Sequence, residues 1–368
     1  MVNLLILMFL STAILSSACE GSQPPKLPAT ESANSETTPE SNIAQVTSAA
    51  FIGANHAWLV DSRGGQLWRT TDAGKSWEKV SGKIIGGKFW AVTFIDSQRG
   101  WAANFEGQIW RTYDGGTTWR FISQPRDGVD NEPPFLSHQI SFVDETHGWL
   151  IDAFGIWRTE DGGSSWKRTL SLMNTVENSI WQPTRISFVN LNFGWMSATG
   201  GIIHNTRDGG RTWQSRKLIP GASDATDVLF INERVGWLTG FVSSTELQSG
   251  TRLFRSDDGG ETWKLVPIAE SDTYIESVWF TNENQGWAVG RAWKMNVGNR
   301  GIILHTNNGG KTWQEQVVGQ NEAHFDRMYF VDSEHGWLFA ENNIYRTQNA
   351  GISWNSVLKV VPMKIRID

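Results

Sequence analysis

Two linked motifs recur seven times between Phe51 and Trp354, and this repetition constrains the fold more than any other feature of the chain. The first motif is Phe, five residues, a small residue and Trp. It occurs at Phe51–Trp58, Phe94–Trp101, Phe142–Trp149, Phe188–Trp195, Phe230–Trp237, Phe280–Trp287 and Phe330–Trp337. The second is Ser/Thr-x-Asp-x-Gly-x-Ser/Thr-Trp, at Thr70–Trp77, Thr112–Trp119, Thr159–Trp166, Thr206–Trp213, Ser256–Trp263, Thr306–Trp313 and Thr347–Trp354. The period is 41 to 50 residues. Repeats of that length are supersecondary units that bury their apolar faces only against one another.

The residue types predict strands joined by tight turns. In the second unit the strands are expected at about Phe89–Ile95, Trp101–Asn104, Gln108–Thr112 and Thr118–Ile122. Four short antiparallel strands per unit match a propeller blade, and a ring of such blades leaves no sheet face open. The expected fold is therefore all-β, a seven-bladed β-propeller of four-stranded antiparallel blades. Asp at a turn accepts bonds from unpaired backbone N–H groups, and Gly supplies positive φ. The box residues Asp72, Asp114, Asp161, Asp208, Asp258, Asn308 and Asn349 repeat in every unit. A structural turn repeats in that way and a single active site does not, so they are expected to be structural. The box Trp is expected to pin the turn to its blade.

Length variation is asymmetric. In a blade, the turns joining strands one–two and three–four lie on one face of the disc, and neither motif that holds them changes length. From box Trp to the next Phe takes 17 residues in four cases of six, but 23 after Trp119 and 22 after Trp166. From the first-motif Trp to the box Trp takes 26 residues in units five and six, against 17 to 19 elsewhere. All insertions thus fall on the opposite face, where a rigid scaffold would carry function. Four loops decorate it: Pro125–Ser137, Thr169–Thr184 with Trp181, Phe241–Thr251, and Arg291–Arg300 with Trp293 and Lys294. An exposed Trp flanked by Arg291, Lys294 and Arg300 has the makeup of a protein-binding hot spot. His138, Arg185, Asp227, Glu276, Asp326 and Arg327 are expected where the inner strands meet the channel mouth.

The flanks differ from the repeats. Residues 1–18 are uncharged and largely apolar and end in Ser16-Ser17-Ala18, which reads as a secretory signal peptide. Cys19 follows, the single cysteine of the chain and a candidate lipidation site. Residues 19–43 are rich in Ser, Thr, Pro and Glu and read as a disordered tether. The propeller is assigned to 44–358 and a C-terminal tail to 359–368. The expected location is an exported lipoprotein facing the periplasm or cell exterior. A net charge of −6 argues against a nucleic-acid partner. No zinc-ligand spacing, phosphate loop or nucleophile elbow occurs, so no metal or cofactor is expected.

The second motif resembles the Asp box, or BNR repeat, of sialidases, sortilins and related propellers. That resemblance leaves open a glycan-binding protein or a glycoside hydrolase. A sialidase-like site would draw on Arg185, Arg327 and one of Arg291 or Arg300 with Tyr329, and a paired-carboxylate site on Asp227 and Glu276. The short blades, the paired motifs, the count of seven and the leader together resemble the photosystem II stability/assembly factor family. This resemblance implies a non-catalytic monomer that holds a protein client, a membrane protein under assembly. In a photosynthetic host it would face the thylakoid lumen. An arginine patch would engage the client, for which Arg185, Arg291, Arg300 and Arg327 are the candidates, with Trp181, Trp293 and Lys294 beside them.

Overall fold

The computed structural model describes residues 43, 46–61, 65–80, 88–126, 137–172, 182–217, 222–242, 250–268, 273–294, 298–316, 318 and 322–360. Within them lie seven four-stranded antiparallel sheets and no helix, a seven-bladed β-propeller. The blades span 46–79, 89–123, 137–171, 183–217, 222–265, 273–316 and 325–359. Each takes its four strands from consecutive sequence, innermost first. Among the described residues no strand is exchanged between the first and last blades, and side-chain contacts join them. Ile43, just before the first strand, is fully buried against that closure, and the last strand runs to Lys359.

The repeated Phe and Trp fasten one blade to the next. The first-motif tryptophans, Trp58 through Trp337, are 0–2 % exposed. Six of them stack on the repeat Phe of the following blade, with ring centroids 3.5–3.9 Å apart and planes within 13°. Five also donate their indole N–H to a backbone carbonyl in the next blade's box, as Trp58 does to Gly115 at 2.9 Å and Trp101 to Gly162 at 2.8 Å. The box Trp packs edge-on against the repeat Phe of its own blade, at 5.8–6.2 Å in six blades. Of the two tryptophans it is the less buried, and most copies are only half-buried. The deeper burial belongs to the first-motif Trp, because that ring lies between blades.

The glycine before that Trp has a steric cause. A Cβ at Gly100, Gly148, Gly194, Gly236, Gly286 or Gly336 would fall 2.3–2.7 Å from a ring carbon of the repeat Phe in the same blade. Blade one carries Ala57 there, and its stack is the one that departs: Phe51 meets Trp337 at 5.4 Å with a 35° tilt. The methyl takes the space the ring uses elsewhere, so Phe51 leans toward Tyr329 and Phe339 instead. The seam between blades seven and one is therefore the irregular one. Arg346 bridges it by donating to the Ala54 carbonyl at 2.9 Å.

The two turns of the invariant face are tied together. In every blade an N–H of the box donates to a carbonyl of the strand one–two turn at 2.8–3.0 Å, for example Gly115 to Gln98. An insertion in either turn would break that bond, which accounts for the fixed lengths. In the box itself Asp114 accepts the Thr118 N–H at 2.8 Å and the Thr118 hydroxyl at 2.6 Å, and the Thr112 hydroxyl at 2.8 Å. Asn308 accepts the same backbone bond from Thr312 at 3.0 Å, and its amide then donates to the Thr312 hydroxyl at 2.7 Å. A hydroxyl can give or receive, so it serves both side chains. Both residues after the Asp have positive φ, including the non-glycine Ala73 at 67° and Ala350 at 57°.

On the opposite face, blades five and six do not carry their insertions as open loops throughout. In blade six the second and third strands lengthen to Gly286–Lys294 and Gly298–Thr306 and pair to the end, with Arg291 opposite Gly301 and Trp293 opposite Asn299. The segment expected as a loop at Arg291–Arg300 is thus mostly a projecting hairpin, since the added residues continue the ladder and satisfy their own backbone groups.

Candidate functional site: the channel and its mouth

The inner strands of all seven blades share one irregularity. Each has a β-bulge four residues before its repeat Phe, at Thr47, Trp90, His138, Thr184, Thr226, Glu276 and Asp326. A bulge shifts the alternation of side chains by one. Position −3 from the Phe is thereby aimed at the axis, and Ser48, Gln139, Arg185, Asp227, Ser277 and Arg327 line the central cavity there. The six polar residues expected together at the mouth therefore separate into two sets. Arg185, Asp227 and Arg327 face the channel, whereas Glu276 and Asp326 are bulged residues and lie outside its lining, and the His138 side chain lies outside the described residues.

The cavity has a volume of about 500 Å³. Arg185 of blade four reaches across it, with Nη2 donating to the Tyr329 hydroxyl of blade seven at 3.1 Å. Its Nε lies 3.3 Å from the Asp227 carboxylate, and the Ser277 hydroxyl donates to the same carboxylate at 3.1 Å. Burial opposes ionisation of Tyr329, but the Arg185 and Arg327 guanidiniums outweigh it and hold the phenol below its ordinary pKa. Trp279 packs on Tyr329 with centroids 5.3 Å apart and gives the channel an aromatic wall. Arg327 is exposed, and among the described residues no carboxylate forms an ion pair with it.

Outside the channel, blades six and seven form a charged rim. His324 pairs with Asp326 at 3.0 Å, which raises the imidazole pKa against the opposing effect of burial. Burial raises the Glu276 carboxyl, partly countered by Arg291. Arg291 lies over the Tyr274 ring at 5.2 Å. From this rim the blade-six hairpin projects Trp293, 48 % exposed. Arg300, on the same hairpin, is held by Glu315, with Nη2 3.1 Å from Oε2. Sequence reasoning thus grouped residues that the fold divides: Arg185 and Arg327 in the channel, Arg291, Trp293 and Arg300 on the hairpin. Trp181 and Cys19 lie outside the described residues, as does the Lys294 side chain.

Two aromatic residues of blade two escaped the sequence reading. Trp90 is the only apolar residue among the seven bulged positions, and it meets Phe105, 44 % exposed, at 5.4 Å. Trp279, which the sequence reading also missed, and Tyr329, which it named, both stand at position −1 from the repeat Phe and face the axis. Counting back by odd numbers from each repeat Phe would have found the channel set. Among the described residues no group of three His, Cys, Asp or Glu could hold a metal ion.

A family model described as "Photosynthesis system II assembly factor YCF48" matches residues 123–223 and 219–362. The chain belongs to that family. Two solved YCF48 structures are similar in fold. One, described as YCF48 bound to D1 peptide, has a TM-score of 0.62 at 20% identity, covering 84% of this chain and 95% of that one. The other, YCF48 from Cyanidioschyzon merolae, has a TM-score of 0.65 at 18% identity, covering 85% and 97%. An ancestral GH74 enzyme gives 0.63 at 14% identity, over 88% of this chain but 47% of that one. At such identities the likeness concerns the fold, which the two YCF48 structures and the GH74 enzyme share. No curated protein matches the sequence.

Proposed function

We propose that this YCF48-family propeller is a non-catalytic binding protein that holds a protein client through its insertion-bearing face. The observation that carries the reading is Trp293, 48 % exposed on a paired hairpin beside Arg291. A large aromatic side chain held out on a rigid element loses little conformational entropy on binding and is a typical interface anchor. Support also comes from the YCF48 structure described as bound to a D1 peptide, which makes a D1-type segment the first client to test. The propeller would be tethered outside the cytoplasm through a lipidated Cys19.

Retention of the full-length protein on an immobilised D1 peptide is the direct test. Trp293→Ala is expected to weaken retention about tenfold or more, with the melting temperature unchanged. Unaltered retention would remove the hairpin from the interface, and no retention of the parent protein would remove a D1-type client. Turnover of fluorogenic sialosides or glucosides, lost on Arg327→Ala, would overturn the non-catalytic reading. Incorporation of an alkyne fatty acid, abolished by Cys19→Ala, tests the tether.

A further inference from the structure

The central cavity carries an imbalance of charge that the fold does not resolve. Three of its lining residues are ionic: Arg185, Asp227 and Arg327. Asp227 is used up, since it pairs with Arg185 at 3.3 Å and accepts the Ser277 hydroxyl at 3.1 Å. That leaves the Arg327 guanidinium as an uncompensated cation, in a protein whose overall charge is −6. Arg327 is exposed and partly screened by solvent, but the protein walls of the cavity focus its field inward, so the cavity favours one negative charge.

The surroundings say what kind of anion. Tyr329, two residues from Arg327 on the same strand, has its hydroxyl at 3.1 Å from Arg185 and its pKa held down by both guanidiniums. The phenol therefore sits where negative charge is favoured, and it can donate its proton to an acceptor placed there. The opposite requirement, an apolar body, is met by Trp279 at 5.3 Å from the Tyr329 ring and by Leu229. Guanidinium forks match the two oxygens of a carboxylate. A cavity of about 500 Å³ has room for a small molecule and not for a folded segment.

We infer that the channel binds a small organic monocarboxylate, its oxygens on Arg327 and the Tyr329 hydroxyl and its apolar body against Trp279. The site lies apart from the Trp293 hairpin and does not depend on the client-binding reading. The carboxylate could belong to a free metabolite or to the C-terminus of a peptide that enters the channel.

The test is calorimetric titration of the full-length protein with benzoate at neutral pH. Saturable binding at one site is expected, with benzyl alcohol, the neutral analogue, failing to bind. Arg327 is exposed, so Arg327→Ala should leave the melting temperature unchanged while weakening benzoate by about tenfold or more. Arg327→Lys should restore part of the loss, and Tyr329→Phe should weaken binding by a smaller factor. No saturable benzoate binding overturns the inference. So does equal binding of benzyl alcohol, or benzoate affinity unchanged by Arg327→Ala. N-acetyl-phenylalanine and its amide separate the two sources. If the free acid binds more tightly than benzoate and the amide does not bind, a peptide C-terminus is the ligand; if benzoate binds more tightly, a free carboxylate is.

Discussion

The Arg185 guanidinium donates to the Tyr329 hydroxyl at 3.1 Å across the channel, joining inner strands 144 residues apart in sequence. This bond is a direct polar link between blades four and seven. It predicts a graded response. Tyr329→Phe removes one charge-assisted bond and should cost about 1.5–3 kcal/mol. Asp227→Ala strips the carboxylate from a half-buried guanidinium and should cost more, about 3–5 kcal/mol. Chemical denaturation midpoints of the two variants check the order; Tyr329→Phe as the more damaging would contradict it.

The close approach of Gly236 to Phe230 gives a second prediction. A methyl there would sit 2.5 Å from the Phe230 Cδ1, so the ring must tilt and leave its stack on Trp195. Gly236→Ala should destabilise by about 1–3 kcal/mol, the usual cost of overpacking. Near-ultraviolet circular dichroism should show the altered aromatic packing alongside the loss.

Asn308 and Asn349 supply the pattern for a third. Asp114→Asn keeps the backbone bond from Thr118 and reverses only the hydroxyl bond, so stability should change by less than about 0.5 kcal/mol. Asp114→Ala leaves the Thr118 N–H and hydroxyl to water and the buried Thr112 hydroxyl without that acceptor, and should cost about 1–3 kcal/mol. Equal losses from the two variants would show that the negative charge, and not the hydrogen bonds, stabilises the turn.

Acid sensitivity should have an identifiable contributor. His204 is 1 % exposed, its Nδ1 lies 2.7 Å from the Ser215 hydroxyl, and burial lowers its pKa to about 4. The unfolded protein takes up that proton near pH 6.5 and the folded one does not. Stability is therefore complete above about pH 6.5 and declines toward pH 4, by at most about 1.4 kcal/mol per unit. The box aspartates act lower: partial burial raises them, but bonds from the +4 hydroxyl and N–H hold them below the usual range. His204→Leu should reduce the slope of the melting temperature between pH 6.5 and 4, with the half-buried His305, whose pKa is also lowered by burial, still contributing there, and leave the steeper loss below pH 4 in place. An unchanged acid limb would exclude His204 as its cause.

Much of the fold could be read from residue spacing, because both motifs sit at turns whose lengths cannot vary. The strands of the second unit fall within about two residues of their expected bounds, at Phe89–Phe94, Gly100–Asn104, Ile109–Thr112 and Arg120–Ser123. The channel was less legible. Arg185 and Glu276 stand one position apart in the repeat, at −3 and −4 from the Phe, and the bulge at −4 sends the first to the axis and not the second. A bulge leaves no motif of its own. Nor does sequence say that Arg300 has Glu315 as its partner, since that depends on which strands pair.

What the sequence determined by itself is the local and repeated part: where each turn falls, which residues fasten it, how many blades there are, and which face cannot take insertions. These follow from local chemistry, an Asp or Asn beside positive-φ residues and a fixed Phe-to-Trp interval. Only the tertiary structure decided what the repeats do to one another. It set each Trp on the next blade's Phe, left Ala57 to tilt the closing stack, and gathered Arg185, Asp227, Arg327 and Tyr329 around one cavity. The physical reason is that ring closure brings together residues from different copies, and no single copy encodes which blades will face each other across the axis.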